Sequence, residues 1–240
     1  IPLMITVIGV LFFMLVRFVT FESGNPQEYL TQIKIGSASK RWQSAYELSK
    51  ILSKPDELQL DDQFKNSIIS AFEQSLYDDP KVRMYLALAM GRTGDSSYGP
   101  YLMEGLDDDS PEIVTSVIQA LGLIRYKPAL DKLSNITDSS TSQPVRLAAA
   151  ISLGQIGDKS SLPILKNLLN DEEANIRWDA AIGLAKMGDD SGSVIINSLL
   201  NRSYYKNFKE IDSWETEKAI LVAIQVINKL GGSQFKKNLI

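Results

Sequence analysis

Cysteine and histidine are both absent from this 240-residue chain. Without cysteine there is no disulfide staple, no thiolate nucleophile and no zinc site of the Cys/His type. Without histidine, every His-dependent acid–base scheme is excluded. The lack of cysteine does not choose a redox compartment, since it suits the cytosol and the bacterial envelope alike. A basic surplus is missing as well: 25 Lys and Arg stand against 29 Asp and Glu, a formal charge of −4, so no nucleic-acid partner is expected. The 15 glycines are scattered about one per turn, and none builds a phosphate-cradling loop. Acidic clusters such as Asp107-Asp108-Asp109 fall between helical segments, where carboxylates serve as caps rather than as Ca²⁺ or Mg²⁺ ligands. No catalytic, cofactor-binding or metal-binding set is read from these residues, and no small-molecule substrate is expected.

The chain opens on Ile1 rather than Met, and a further N-terminal flank is expected. Residues 1–21, IPLMITVIGVLFFMLVRFVTF, carry a single charge, Arg17. As a helix they would span roughly 30 Å, the thickness of a bilayer's hydrocarbon core. Arg17 lies close enough to the end to snorkel toward headgroups, and Phe18 and Phe21 flank it at the boundary. Ala-x-Ala cleavage signals are missing, since the first alanine is Ala38. The reading is a transmembrane anchor over 1–21 and a polar linker over 22–26. It makes the chain a single-pass protein of a bacterial inner membrane, with the side that holds the remainder left open.

With 44% hydrophobic residues, the chain is long and apolar enough for one large domain or an extended array. RWQSA at 41–45 returns as RWDAA at 177–181, and longer segments repeat between them: KVRMYLALAMGRTGD (81–95), EIVTSVIQALGLIRY (112–126), PVRLAAAISLGQIGD (144–158) and NIRWDAAIGLAKMGD (175–189). Their second residues, Val82, Ile113, Val145 and Ile176, are 31, 32 and 31 apart. Seven residues on, each copy has a small side chain (Ala89, Ala120, Ser152, Gly183), then a large one (Met90, Leu121, Leu153, Leu184). With Thr93, Ile124, Ile156 and Met187 three further along, these offsets trace one helix face. The small column fits a helix crossing too close for bulk. Three copies end in Gly-Asp, a left-handed stop followed by a cap. Shorter helical stretches at 100–106, 128–136, 162–169 and 193–200 alternate with these segments. An antiparallel helix pair every 31 or so residues is an α-solenoid.

The V-R-x-x-A-A-x-x-L-G-x-I-G-D pattern, clearest in PVRLAAAISLGQIGDKSSLPILKNLL (144–169), resembles HEAT repeats of the short, phycobilisome-lyase-like kind. The resemblance covers 27–230 as six units, at roughly 27–53, 59–95, 97–126, 127–158, 161–189 and 191–230, with a tail at 231–240. It implies an all-α array that binds protein partners. Some relatives of this type are metal hydroxylases built on His–Glu pairs, for which this chain has no ligands.

Two groups of residues stand out. Arg41, Arg83, Arg146 and Arg177 recur at one position, Val114 interrupting them. The resemblance implies a structural ladder in which they pair with turn acids, here Asp79, Asp109 or Asp171. An insertion at 201–216, NRSYYKNFKEIDSWET, sets Tyr204, Tyr205, Phe208 and Trp214 among cations. Those rings, with Trp42 and Trp178, are candidate partner contacts, or else a cover for the end of the stack. The functional expectation is a non-catalytic scaffold or accessory subunit of an integral membrane complex, of transporter or respiratory type. The alternative is a lyase-like or chaperone-like helper of a cofactor-bearing client.

Overall fold

A computed structural model describes residues 6, 9, 10, 12, 25–54, 58, 60–140, 142–208 and 211–230. From Asn25 onward these form twelve α-helices linked by turns and 3₁₀ segments, and no strand occurs among the described residues. The odd-numbered helices are α1 (Pro26–Ile35), α3 (Asp62–Gln74), α5 (Gly99–Glu104), α7 (Leu130–Ser139), α9 (Leu162–Leu168) and α11 (Ser193–Leu199). The even-numbered ones are α2 (Ala38–Ile51), α4 (Pro80–Arg92), α6 (Pro111–Leu123), α8 (Gln143–Ile156), α10 (Ala174–Lys186) and α12 (Ser213–Ile227).

Local chemistry sets the starts and stops. Pro26, Pro80 and Pro111 open their helices, where a missing N–H costs nothing. Asp61 accepts from Phe64 N at 2.7 Å and Asp79 from Lys81 N at 2.9 Å, satisfying free first-turn donors. Asn25 likewise accepts from Gln27 N, so the last two residues of the expected linker are the cap and first residue of α1. Gly94, Gly157 and Gly188 take φ of 71°, 69° and 79°, the left-handed turn that only glycine adopts cheaply. Asp95, Asp158 and Asp189 come next, each accepting from a serine N–H two residues on, at 2.9, 3.0 and 3.0 Å.

The even helices stack on one another in a row from α2 to α12, while α1, α5, α7 and α9 lean chiefly on the even helix that comes after them, α3 packs on both α1 and α4, and α11 lies between α10 and α12. Several odd helices are very short, six residues in α5 and seven in α9 and α11. Helices of that length are not stable alone, so packing holds them. The row is tight because of a second small column, two residues past the first. A Cβ on Gly91 would lie 2.6 Å from Ala120 Cα, one on Gly122 2.6 Å from Ser152 Oγ, and one on Gly154 2.9 Å from Gly183 Cα. Ser152 Oγ uses the closeness to donate to Ile118 O on the neighbouring helix at 2.9 Å. Buried Leu, Ile, Val and Ala side chains run through the array as one core from Leu30 to Leu184, with a second around Ile196, Leu199 and Val226. The result is an all-α repeat solenoid.

The expected membrane placement is overturned. No helix among the described residues is long and apolar enough to cross a membrane. The longest of the twelve has 15 residues and would reach about 22 Å, short of a hydrocarbon core of ~30 Å. Of the proposed anchor 1–21, only Thr6, Gly9, Val10 and Phe12 are described, all four helical. Arg17, Phe18 and Phe21, and the tail 231–240, lie outside the described residues.

Candidate partner-binding surface

The recurring arginines bind turns, with a partner one residue earlier than expected in two cases. Arg41 on α2 reaches Asp78 at 2.8 Å, and Arg83 on α4 reaches Asp108 at 3.0 Å. Each thus ties its helix to the turn preceding the next even helix. Arg83 also donates to Phe72 O at 2.8 Å and lies over the Phe72 ring. That pair is nearly dry, at 6% and 11% exposure. Asp79 is not a ladder partner because it is the cap of α4, and Asp109 is exposed while Asp108 turns inward. Arg146 stands 3.9 Å from Asp171 and 3.6 Å from Glu172. Arg177 uses backbone instead, donating to the carbonyls of Asp171 and Glu172 at 2.7 and 2.9 Å.

A second ladder escapes the sequence reading. Lys65, Lys127 and Lys166 meet Asp95, Asp158 and Asp189 at 3.3, 3.0 and 2.7 Å. The same carboxylates that cap a turn therefore clamp a lysine of the same repeat. Hydrogen bonds from Ser160 and Lys127 hold the Asp158 carboxyl down at about 2, and those from Lys166 and Ser191 do so for Asp189. The signal was present in the sequence only as three lysines at unequal offsets from the Gly-Asp pairs.

The insertion folds back on the array. A 3₁₀ segment, Arg202–Asn207, brings Tyr204, Tyr205 and Phe208 around Trp178, with ring centroids 6.0, 5.9 and 4.9 Å away. Trp178 Nε1 donates to Tyr204 Oη at 3.2 Å, and buried Tyr205 donates its hydroxyl to Leu199 O at 2.8 Å. Burial pushes the Tyr205 phenol up to about 12. Trp42 is half-buried under the Lys81 ammonium, 5.0 Å from its ring. Trp214 differs from all of these: it is 66% exposed on α12, with Lys218 over its ring. Beside Trp178, Asp179 is half-buried and makes no ion pair among the described residues. Burial raises its carboxyl to about 6, against a smaller pull from Lys186.

The C-terminal ends of α6, α8 and α10, with the end of α12, enclose a groove of about 660 Å³. Leu123, Ile156, Met187 and Val226 supply its apolar lining, and Arg125, Lys159, Lys186 and Lys229 its charges. Arg125 occupies the column in which the other three units have Gly94, Gly157 and Gly188, and it takes φ of 51°. The aligned segments displayed that exception, but its place on a groove depends on the stack. No group of His, Cys, Asp and Glu fit to hold a metal occurs among the described residues.

A family model described as HEAT repeats matches residues 69–152 and 130–205, together more than half of the chain. None of the curated proteins matches by sequence. Among solved structures, the complex of CpcE and CpcF of phycocyanin lyase from Nostoc sp. PCC7120 is similar, at 18% identity and a TM-score of 0.63, covering 92% of this chain and 97% of that one. Two engineered proteins from a structural genomics consortium each give a TM-score of 0.51, at 14% and 16% identity. Both cover 85% of this chain, and 97% and 98% of their own. Likeness at such identities speaks for the fold alone. With repeats of this kind matched over more than half its length, the chain belongs to the HEAT-repeat family.

Proposed function

We propose that this chain is a non-catalytic adaptor that binds a protein partner along its even-numbered helices. The observation that carries the reading is the open groove at the ends of α6, α8, α10 and α12, which combines apolar floor and charge. A row of stacked hairpins presents such surface without needing a deep cavity. The arginine and lysine ladders are absorbed in holding repeats together, so contacts fall to side chains they leave free, Trp214 among them. Affinity purification of the tagged chain after mild crosslinking tests this. A stoichiometric complex is expected, and recovery as a lone monomer would refute it.

A second reading draws on the fold shared with the phycocyanin lyase complex: a helper acting on a cofactor-bearing client. An absorbance spectrum and intact mass of the purified protein decide it, since a helper of this kind would carry colour or a transferable group.

A further inference from the structure

We propose that the groove at the ends of α6, α8 and α10 receives an acidic segment of the partner, held by Arg125, Lys159, Lys186 and Lys229. The inference rests on the adaptor reading and specifies the docking chemistry within it.

All four cations are exposed and line one cavity that has no carboxylate in its lining. None of them forms an ion pair among the described residues, whereas Lys127 and Lys166, on the same repeats, are each clamped by an aspartate. In a chain with a formal charge of −4, four cations around one opening, none ion-paired among the described residues and only Lys186 within electrostatic reach of a carboxylate, that of Asp179, form a local field of opposite sign to the whole. Such a field steers and holds a short anionic segment. A long polyanion would extend past these four cations along a chain of net negative charge, which disfavours nucleic acid.

Arg125 adds an independent observation. The other three units place glycine at this helix stop, and Arg125 adopts the same left-handed backbone with a side chain. Strain of this sort persists where the side chain has a use, and Arg125 makes no ion pair among the described residues. The floor beneath it is apolar, with Leu123 44% exposed. Gln155 lies in the same floor with its Oε1 buried and undonated. Cations ringing an apolar floor match a segment that alternates carboxylates with aliphatic side chains.

The probe is a fluorescein-labelled 12-residue peptide of repeating Glu-Leu-Glu, read by anisotropy against the full chain. Saturable binding is expected, weakening as salt rises, with a Gln-Leu-Gln peptide binding at least about tenfold more weakly. Lys159→Glu/Lys229→Glu should lower affinity at least about tenfold, whereas Lys34→Glu/Lys40→Glu, altering exposed lysines elsewhere, should leave it unchanged. Arg125→Gly should weaken the peptide while raising the melting temperature, a pairing that loss of fold cannot produce. Equal binding by Lys159→Glu/Lys229→Glu and wild type, no binding by wild type, or tighter binding of a 12-nucleotide single-stranded DNA overturns the proposal. If the crosslinked partner still co-elutes with Lys159→Glu/Lys229→Glu, the groove is not its dock and this proposal falls, while the adaptor reading keeps its partner but must place it elsewhere on the array. If wild type elutes alone, the adaptor reading falls first.

Discussion

Replacing Asp179 with asparagine should make the protein more stable at neutral pH and flatten its pH dependence. The carboxyl sits half-buried on α10 without an ion-pair partner among the described residues, and burial lifts it from 3.8 to about 6. Its folded form therefore binds a proton more tightly than the unfolded chain does. Wild-type stability should rise as pH falls from about 6 toward 4, where the charge is discharged, and the full penalty should stand above pH 6. A shift of about two units corresponds to roughly 3 kcal/mol. An amide at the same place still loses some hydration, on the order of 1–2 kcal/mol, so Asp179→Asn should gain about 1–2 kcal/mol at pH 7. That is a rise of about 2–8 °C in melting temperature for a chain of this size. Circular dichroism melts of both proteins between pH 4.5 and 7.5 measure it. Parallel curves across that range would show that Asp179 carries no desolvation penalty, and the reasoning would fail.

Gly154→Ala puts a Cβ 2.9 Å from the Gly183 backbone and should cost about 1–3 kcal/mol by overpacking. Urea unfolding reads it, and an unchanged midpoint would mean α8 and α10 are not so close. Arg83→Ala leaves the largely buried Asp108 carboxylate, 11% exposed, and the Phe72 carbonyl without their donor, a loss of about 3–5 kcal/mol that Arg83→Met/Asp108→Leu should largely recover; a double-mutant cycle on thermal unfolding tests it. The Asp158 and Asp189 carboxyls, held at about 2 by their caps and lysines, act in the opposite sense to Asp179. Their contribution is whole above pH 4 and is lost as pH falls toward 2. Lys166→Met should shrink that acid-driven loss, as monitored by ellipticity between pH 4.5 and 2.

The amino-acid sequence determined the repeat. Apolar residues at helical spacing leave an oily face that only a neighbouring hairpin can cover, and Gly-Asp stops cut the chain at regular intervals. Both signals are local, within some 15 residues, so the all-α solenoid was legible from the chain alone. What was not legible depends on distances between repeats. Gly91, Gly122 and Gly154 read as ordinary helix residues until the stack sets them against Ala120, Ser152 and Gly183. Asp78 and Asp79 are indistinguishable in sequence, yet one faces an arginine and the other caps a helix, because backbone direction at α4 turns them apart. The apolar run at 1–21 matched a bilayer by length and hydropathy, but no crossing helix stands among the described residues. Hydropathy measures a preference for leaving water without naming what replaces it. The groove belongs wholly to tertiary structure: Arg125, Lys159, Lys186 and Lys229 are spread over a hundred positions, and only the close stacking of even helices brings their ends to one opening.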